Sequence, residues 1–398
     1  MIQDANYNFI GKVMMIFCLI FTISFYSCTA QVQNDTNEIL PGAYQIDKYL
    51  HLLEGKRVGL IVNQTSVINA THLVDTLKSL SVDIKTVFAP EHGFRGEADA
   101  GATVKSGYDA KTQLPIISLY GSNKKPQPQQ LENLDILIFD IQDVGTRFYT
   151  YISTMHYVME ACAEQNKELL ILDRPNPNGM YVDGPVLKMD NQSFVGMHPI
   201  PVLHGLTVGE LAKMINGEGW LNNRLKCNVA IIPVENYSHD MTYSLPVKPS
   251  PNLPNDLSIE LYPSLCLFEG TVISVGRGTE SPFQQIGHPD LKEYKHSFTP
   301  VSMPGSSVHP PFENKKCYGI IFKEKDVEGG FSLKYLIEFY NEFEEKKAFF
   351  NNFFVKLAGT KELQQQIEAG FNEEDIRMGW KADLESYHKM RESYLIYP

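Results

Sequence analysis

A chain of 398 residues that is 43% hydrophobic and 11% aromatic can bury two packed cores and is too apolar to stay disordered. Its formal charge of −12, without any cluster of lysine and arginine, excludes non-specific binding to nucleic acid, because phosphate attraction needs a basic face. An anionic ligand must therefore find a local cationic pocket.

The first thirty residues differ from the rest. Val13 to Ser27 is almost wholly apolar, preceded by Lys12 and followed by Cys28-Thr29-Ala30-Gln31, which reads as an export signal over residues 1–30. The run is shorter than the roughly twenty residues that a membrane span takes, and no later segment reaches even that length. The expected location is outside the cytoplasm, periplasmic or envelope-associated. Cys28 allows acylation as a lipid anchor, whereas Ala30 allows ordinary cleavage with loss of Cys28; Phe25 and Tyr26, poor residues ahead of an acylated cysteine, favour cleavage. The remaining Cys162, Cys227, Cys266 and Cys317 are widely spaced and form no CxxC, so neither a zinc site nor a disulfide scaffold is indicated and buried free thiols are expected.

A polar leader occupies residues 31–45, and the pattern then alternates strand and helix. Strands are expected over 57–63, 82–88, 115–120, 134–141 and 168–172, and helices over 71–80 and 151–166. Runs such as Val58-Gly59-Leu60-Ile61-Val62 and Ile136-Leu137-Ile138-Phe139 are continuously apolar, as strands covered on both faces must be. The class is thus α/β, a Rossmann-like parallel-sheet domain with helices on both faces over residues 46–190. Beyond 190 the texture turns to prolines and turns, with a helix over 207–216, a strand over 229–233, a proline-rich loop over 246–254 and a strand over 318–322. An amphipathic helix follows, its stripe formed by Leu333, Leu336, Ile337, Tyr340 and Phe343. A smaller α+β domain over 191–398 is expected to close the cleft. No G-x-G-x-x-G occurs anywhere, which argues against a nicotinamide, flavin or other nucleotide cofactor.

Chemistry-bearing residues gather where these strands end. Ala89-Pro90-Glu91-His92-Gly93-Phe94-Arg95-Gly96 places an acid, an imidazole and a guanidinium on a glycine-flexed loop after the second strand. Asp143, Arg147 and Tyr149 follow the strand ending near Ile141, just ahead of a helix whose free N–H groups suit an anion. Asp173, Arg174 and Asn176 follow the strand ending at Leu172, while His204, Arg277 and Glu280 come from the second domain. A charged surface turn explains any one of these loops; three on a single sheet edge fit a polar cleft better. Neither a G-x-S-x-G elbow nor an H-E-x-x-H pair is present, so esterase and zinc peptidase chemistry lose their main support and no metal is expected. Carboxylates, tyrosines, asparagines and arginines fit sugar hydrolysis, with Glu91 beside His92 as the group suited to general acid work.

The strings APEHGFRG, DIQDVGTRFYTYISTM, DRPNPNG followed by DGP, HGLTVGELA, SPNLP and the LFEGT to GRGTESPF segment, in this order, resemble the NamZ-type exo-β-N-acetylmuramidases of glycoside hydrolase family 171. The resemblance runs from about Leu50 to the end. It implies release of N-acetylmuramic acid from the non-reducing end of peptidoglycan fragments, in wall turnover or salvage, with the PEHG glutamate, here Glu91, as catalytic acid. His92 and Asp143 are the further catalytic candidates, and Tyr149 and Asp173 substrate-binding ones. The substrate's lactyl carboxylate would need an arginine, and Arg95, Arg147, Arg174 and Arg277 are available. A non-catalytic envelope protein that binds wall sugars is the alternative reading.

Overall fold

The computed structural model describes residues 38–91, 93–95 and 107–398; the export signal and His92 lie outside them. Twelve strands are found among the described residues. In chain order they are β1 (Val58–Val62), β2 (Val67–Ile68), β3 (Thr71–His72), β4 (Ile84–Ala89), β5 (Gly107–Tyr108), β6 (Pro115–Ser118), β7 (Ile136–Asp140), β8 (Glu168–Leu172), β9 (Asn228–Ile232), β10 (Gln285–His288), β11 (His296–Phe298) and β12 (Cys317–Ile321). The main sheet has the order β5-β6-β4-β1-β7-β8-β9 and is parallel except for β5, which pairs antiparallel with β6.

Strand β1 is buried at all five positions. Because successive side chains point to opposite faces, Leu60 and Val62 enter one core and Ile61 the other. Leu73, Val74 and Leu77 of helix α1 (Leu73–Ser79) cover the first face. Helices α2 (Tyr151–Glu164) and α3 (Val208–Glu218) cover the second. The layered α/β expectation is met. One difference lies at the start of α1, where Thr71 and His72 pair with β2 and the helix begins two residues late. The His72 imidazole there accepts from Val74 N at 3.2 Å and does the work of an N-cap.

The parallel sheet also runs past residue 190. Its last strand is β9, which pairs with β8 in the register Leu172↔Ile232. Helix α3 makes this connection and is framed by a capping box, with Thr207 N donating to Glu210 Oε2 at 2.9 Å, and by Gly219 at φ +68°. The C-terminal part carries the antiparallel sheet β10-β12-β11 and three longer helices, α4 (Asp256–Leu265), α5 (Lys334–Glu342) and α6 (Glu373–Glu392). Its Phe268, Phe339 and Trp380 join the same apolar cluster as Ile171 of β8, and Ile39–Pro398 make one compact unit. All four cysteines of this unit are free and buried, as expected.

The C-terminal tail is a structural tie. Tyr397 donates to Asp173 Oδ2 at 2.6 Å and accepts from Val234 N at 2.8 Å, binding the chain's end to the end of β8. Asp173 also accepts from Thr207 Oγ1 (2.7 Å) and Gly209 N (2.8 Å). Burial outweighs these donors and pushes its pKa from 3.8 up to about 6. An acid raised in the folded state adds stability that is complete below pH 3.8 and lost as the pH rises through about 6. The unfolding free energy of the wild type minus that of Asp173→Asn should therefore decline across this window, at up to about 1.4 kcal/mol per pH unit. Urea titrations at stepped pH measure this, and a difference independent of pH would contradict it.

Candidate active site

Sheet order brings the carboxyl ends of β6, β4, β7 and β8 to one edge, with only β1 between β4 and β7. In open α/β sheets that edge is where ligands bind. Glu91 sits on a turn just past β4, closed by Gly93 N donating to Pro90 O at 3.0 Å, with Gly93 at φ +79°. Its carboxylate accepts from Tyr120 OH at 2.9 Å and from Thr150 Oγ1 at 3.3 Å. Tyr120 follows β6 and Thr150 precedes α2, so loops from three strand ends converge on one half-buried carboxyl. Burial, and next the negative charge of Glu91, push the Tyr120 phenol above its usual range and keep it a donor.

Glu91 and Arg277 line one pocket, walled by Tyr149, Tyr151, Tyr262 and Phe283, with Ser250 and Asn252 as neutral polar groups. The tyrosines lock edge to face: Tyr149 meets Tyr151 at 5.0 Å and Tyr262 at 5.9 Å between ring centroids. Tyr149 also donates to Pro249 O at 2.8 Å, tying this wall to the proline-rich loop. Among the described lining residues Glu91 is the sole carboxylate and Arg277 the sole cation. A larger cavity, about 870 Å³, lies elsewhere on the chain. Its described rim carries Asp290, Glu293, Glu342, Glu344 and Glu345 with no lysine or arginine, so it is less suited to an anionic ligand than the pocket of Glu91 and Arg277.

The structure thus unites Glu91, Tyr149 and Arg277, while Asp143, His204, Arg95, Arg147, Arg174, Asn176 and Asp173 bond elsewhere in the fold and the expected His92 lies outside the described residues. Asp143 is buried near Tyr149 and Tyr151, whose phenols are raised first by burial and only in small part by its charge. It accepts from Gly145 N at 2.7 Å and lies 3.7 Å from His204 Nε2. His204 is buried and accepts from Leu206 N at 3.2 Å. Arg95 makes two bonds of 2.9 Å to Asp109, and Arg174 pairs with Asp140 at 2.6 and 3.0 Å in the interior. Asn176 holds Asn178 N and Leu206 O, and it packs so close to Gly145 that a Cβ there would fall 2.1 Å from Asn176 Oδ1. Asp173 ties the tail, as described, and Glu280 is exposed outside the pocket lining.

Arg147 departs furthest from a ligand-binding role. It has no exposed surface and donates to Pro185 O, Ile200 O, Leu357 O and Ala358 O at 2.7 to 2.9 Å. Burial draws its pKa down to about 9, still above neutral, so a charged fork clamps three chain segments together. Sequence reasoning overlooked Tyr120, Thr150, Ser250 and Asn252. The available signal for Tyr120 was its place at the end of a recognised strand, on the edge already carrying Glu91.

Family profiles described as "Exo-beta-N-acetylmuramidase NamZ", N-terminal and C-terminal, match residues 58–257 and 260–397. The chain belongs to the NamZ family. A relative from Bacillus subtilis, named peptidoglycan beta-N-acetylmuramidase NamZ, is 39% identical over 92% of this chain and 92% of its own. Two crystal structures of DUF1343 family proteins from Bacteroides fragilis share the fold. One has a TM-score of 0.84 at 45% identity, covering 90% of this chain and 99% of that protein; the other has 0.74 at 29%, covering 91% and 100%. The NamZ profiles divide the chain between residues 257 and 260, next to the start of α4 and beyond the last strand of the main sheet.

The bracing role of Arg147 has a measurable consequence. Arg147→Met strands four buried carbonyls and should lower stability by about 3 kcal/mol or more, with Arg147→Lys losing less. Calorimetric unfolding checks this; a Tm within a degree of wild type would return Arg147 to the list of ligand-binding candidates.

Proposed function

We propose that this chain is an exo-acting β-N-acetylmuramidase that removes terminal N-acetylmuramic acid from peptidoglycan fragments, with Glu91 as its general acid. Family membership and the named activity of the Bacillus subtilis relative support the reaction class. The observation that carries the role of Glu91 is its position: a half-buried carboxyl at a strand end, oriented by Tyr120 and Thr150 and open to an aromatic-walled pocket.

The chemistry follows from that position. Cleavage of a glycosidic bond leaves an alkoxide unless a proton reaches the departing oxygen, and a positioned carboxylic acid delivers it as the C–O bond breaks. Tyr120 and Thr150 hold the two carboxyl oxygens in place, so the proton is presented in one direction. The aromatic walls exclude bulk water from the oxocarbenium-like centre and offer flat apolar surface to a sugar ring. Water then adds at the anomeric carbon and gives up one proton, and with Glu91 reprotonated the net change is hydrolysis of one glycosidic bond. The apolar segment at 13–27 supports a location outside the cytoplasm, with a role in wall turnover or salvage; ordinary cleavage after Ala30 removes Cys28, and cleavage ahead of Cys28 would leave it to be acylated.

Release of 4-nitrophenol from the β-glycoside of N-acetylmuramic acid tests the reaction. On a muramic acid-containing disaccharide, whose alkoxide leaving group needs the proton that 4-nitrophenolate does not, Glu91→Gln should lower kcat by about 10²- to 10⁴-fold with an unchanged Tm, and Tyr120→Phe by about tenfold. Full activity of the Glu91 variant on the disaccharide removes the proposed acid. Mass and proton NMR analysis of the first minutes of disaccharide cleavage reports which sugar leaves.

A further inference from the structure

N-acetylmuramic acid differs from N-acetylglucosamine by a lactyl ether whose carboxylate is ionised at neutral pH. An acidic protein must meet that charge with a dedicated donor, because a desolvated carboxylate left unpaired is strongly disfavoured. Of the four candidate arginines, three bond protein acceptors through two guanidinium nitrogens each. Arg95 is held by Asp109 and Asp75, Arg174 by Asp140, and Arg147 by four main-chain carbonyls.

Arg277 differs. Its only hydrogen bond among the described residues runs from Nε to Glu269 Oε1 at 2.6 Å, which leaves both terminal nitrogens open on a side chain 23% exposed to solvent. The guanidinium carbon lies 5.1 Å from the centroid of the Phe283 ring, so the fork is held both by an ion pair and by an aromatic face. Glu269 is itself restrained, since Cys266 Sγ contacts its other oxygen at 3.7 Å. The loop is equally constrained. Gly276 and Gly278 have φ of +76° and +77°, and a Cβ on Gly278 would lie 2.6 Å from Val301 O. Arg277 is therefore delivered to the Glu91 pocket with the outer edge of its guanidinium unoccupied, and that edge matches a carboxylate two bonds at a time.

We infer that Arg277 is the receptor for the lactyl carboxylate and sets selectivity for muramic acid over N-acetylglucosamine, with Glu269 as its positioning residue. This inference deepens the muramidase reading and rests on it for the substrate class. A neutral side chain at 277 loses the charged partner; lysine keeps the charge but not the planar fork; and Glu269→Gln loosens the aim of the guanidinium without removing it.

Two readouts test the inference on the full chain. The first is the ratio of kcat/KM for the 4-nitrophenyl β-glycosides of N-acetylmuramic acid and N-acetylglucosamine. The second is calorimetric binding of the two free sugars, which needs no turnover. Arg277→Gln should lower the muramic preference by about 10- to 100-fold in both, chiefly through KM, with Arg277→Lys intermediate and Glu269→Gln shifted less in the same direction. An unchanged preference, or an equal fall for both sugars at intact Tm, overturns the inference. Should Arg277→Gln fail to fold, the lysine variant carries the same comparison. A wild type that cleaves neither glycoside yet binds muramic acid through Arg277 would sink the reaction and leave the receptor standing; cleavage with a preference indifferent to residue 277 would do the reverse.

Discussion

Parallel register is the constraint on which the site depends. Phe88 of β4 and Phe139 of β7 both stand level with Ile61 of β1, so the strands end together and their loops emerge on one side. Glu91 lies three residues past Phe88, and Thr150 lies on the segment that leads from β7 into α2. A one-residue slip of β4 would exchange its side chains between the two cores and carry Glu91 away from Tyr120 and Thr150. The catalytic geometry is in this sense a property of strand pairing first and of loop chemistry second.

Charge is distributed around that geometry by desolvation. A guanidinium withdrawn from water needs acceptors, and the interior provides them either as carboxylates, for Arg95 and Arg174, or as a ring of carbonyls, for Arg147. These cations and their partners tie down the strand-end loops, the frame that the proposed general acid would need to keep its aim. Glu91, held by Tyr120 and Thr150, and Arg277, held through Nε by Glu269, line the same aromatic pocket. A substrate that carries both a leaving oxygen and a fixed carboxylate complements that pair.

The long reach of the chain supports the frame from behind. Helix α6 returns to seat Tyr387 on His204 O at 2.6 Å, and Tyr397 completes the shell of donors around Asp173. Both contacts join residues near the end of the chain to loops on the sheet's functional edge. The C-terminal part thus contributes to the site's rigidity as well as supplying Arg277.

Much of the layered sheet was legible because a strand covered on both faces must be apolar at every position, and Val58–Val62, Ile136–Asp140 and Glu168–Leu172 nearly are. Glu91 was legible for a related reason, since a carboxylate directly after such a strand lies at the edge where ligands bind. Which arginine faces the pocket was not. The partners that claim the others lie 14 residues away for Arg95, 34 for Arg174 and up to 211 for Arg147, separations that no local pattern encodes. The closing of the sheet by β9 was hidden likewise, because strand order follows from long-range pairing. Local burial and periodicity, properties of neighbouring residues, let the sequence determine the longer strands of the parallel sheet, helices α1, α2, α3 and α5, and the strand-end position of Glu91, but not the C-terminal helices α4 and α6. Only the tertiary structure decided which charges are neutralised in the interior and which is left to meet a substrate, because that choice depends on partners brought together by folding.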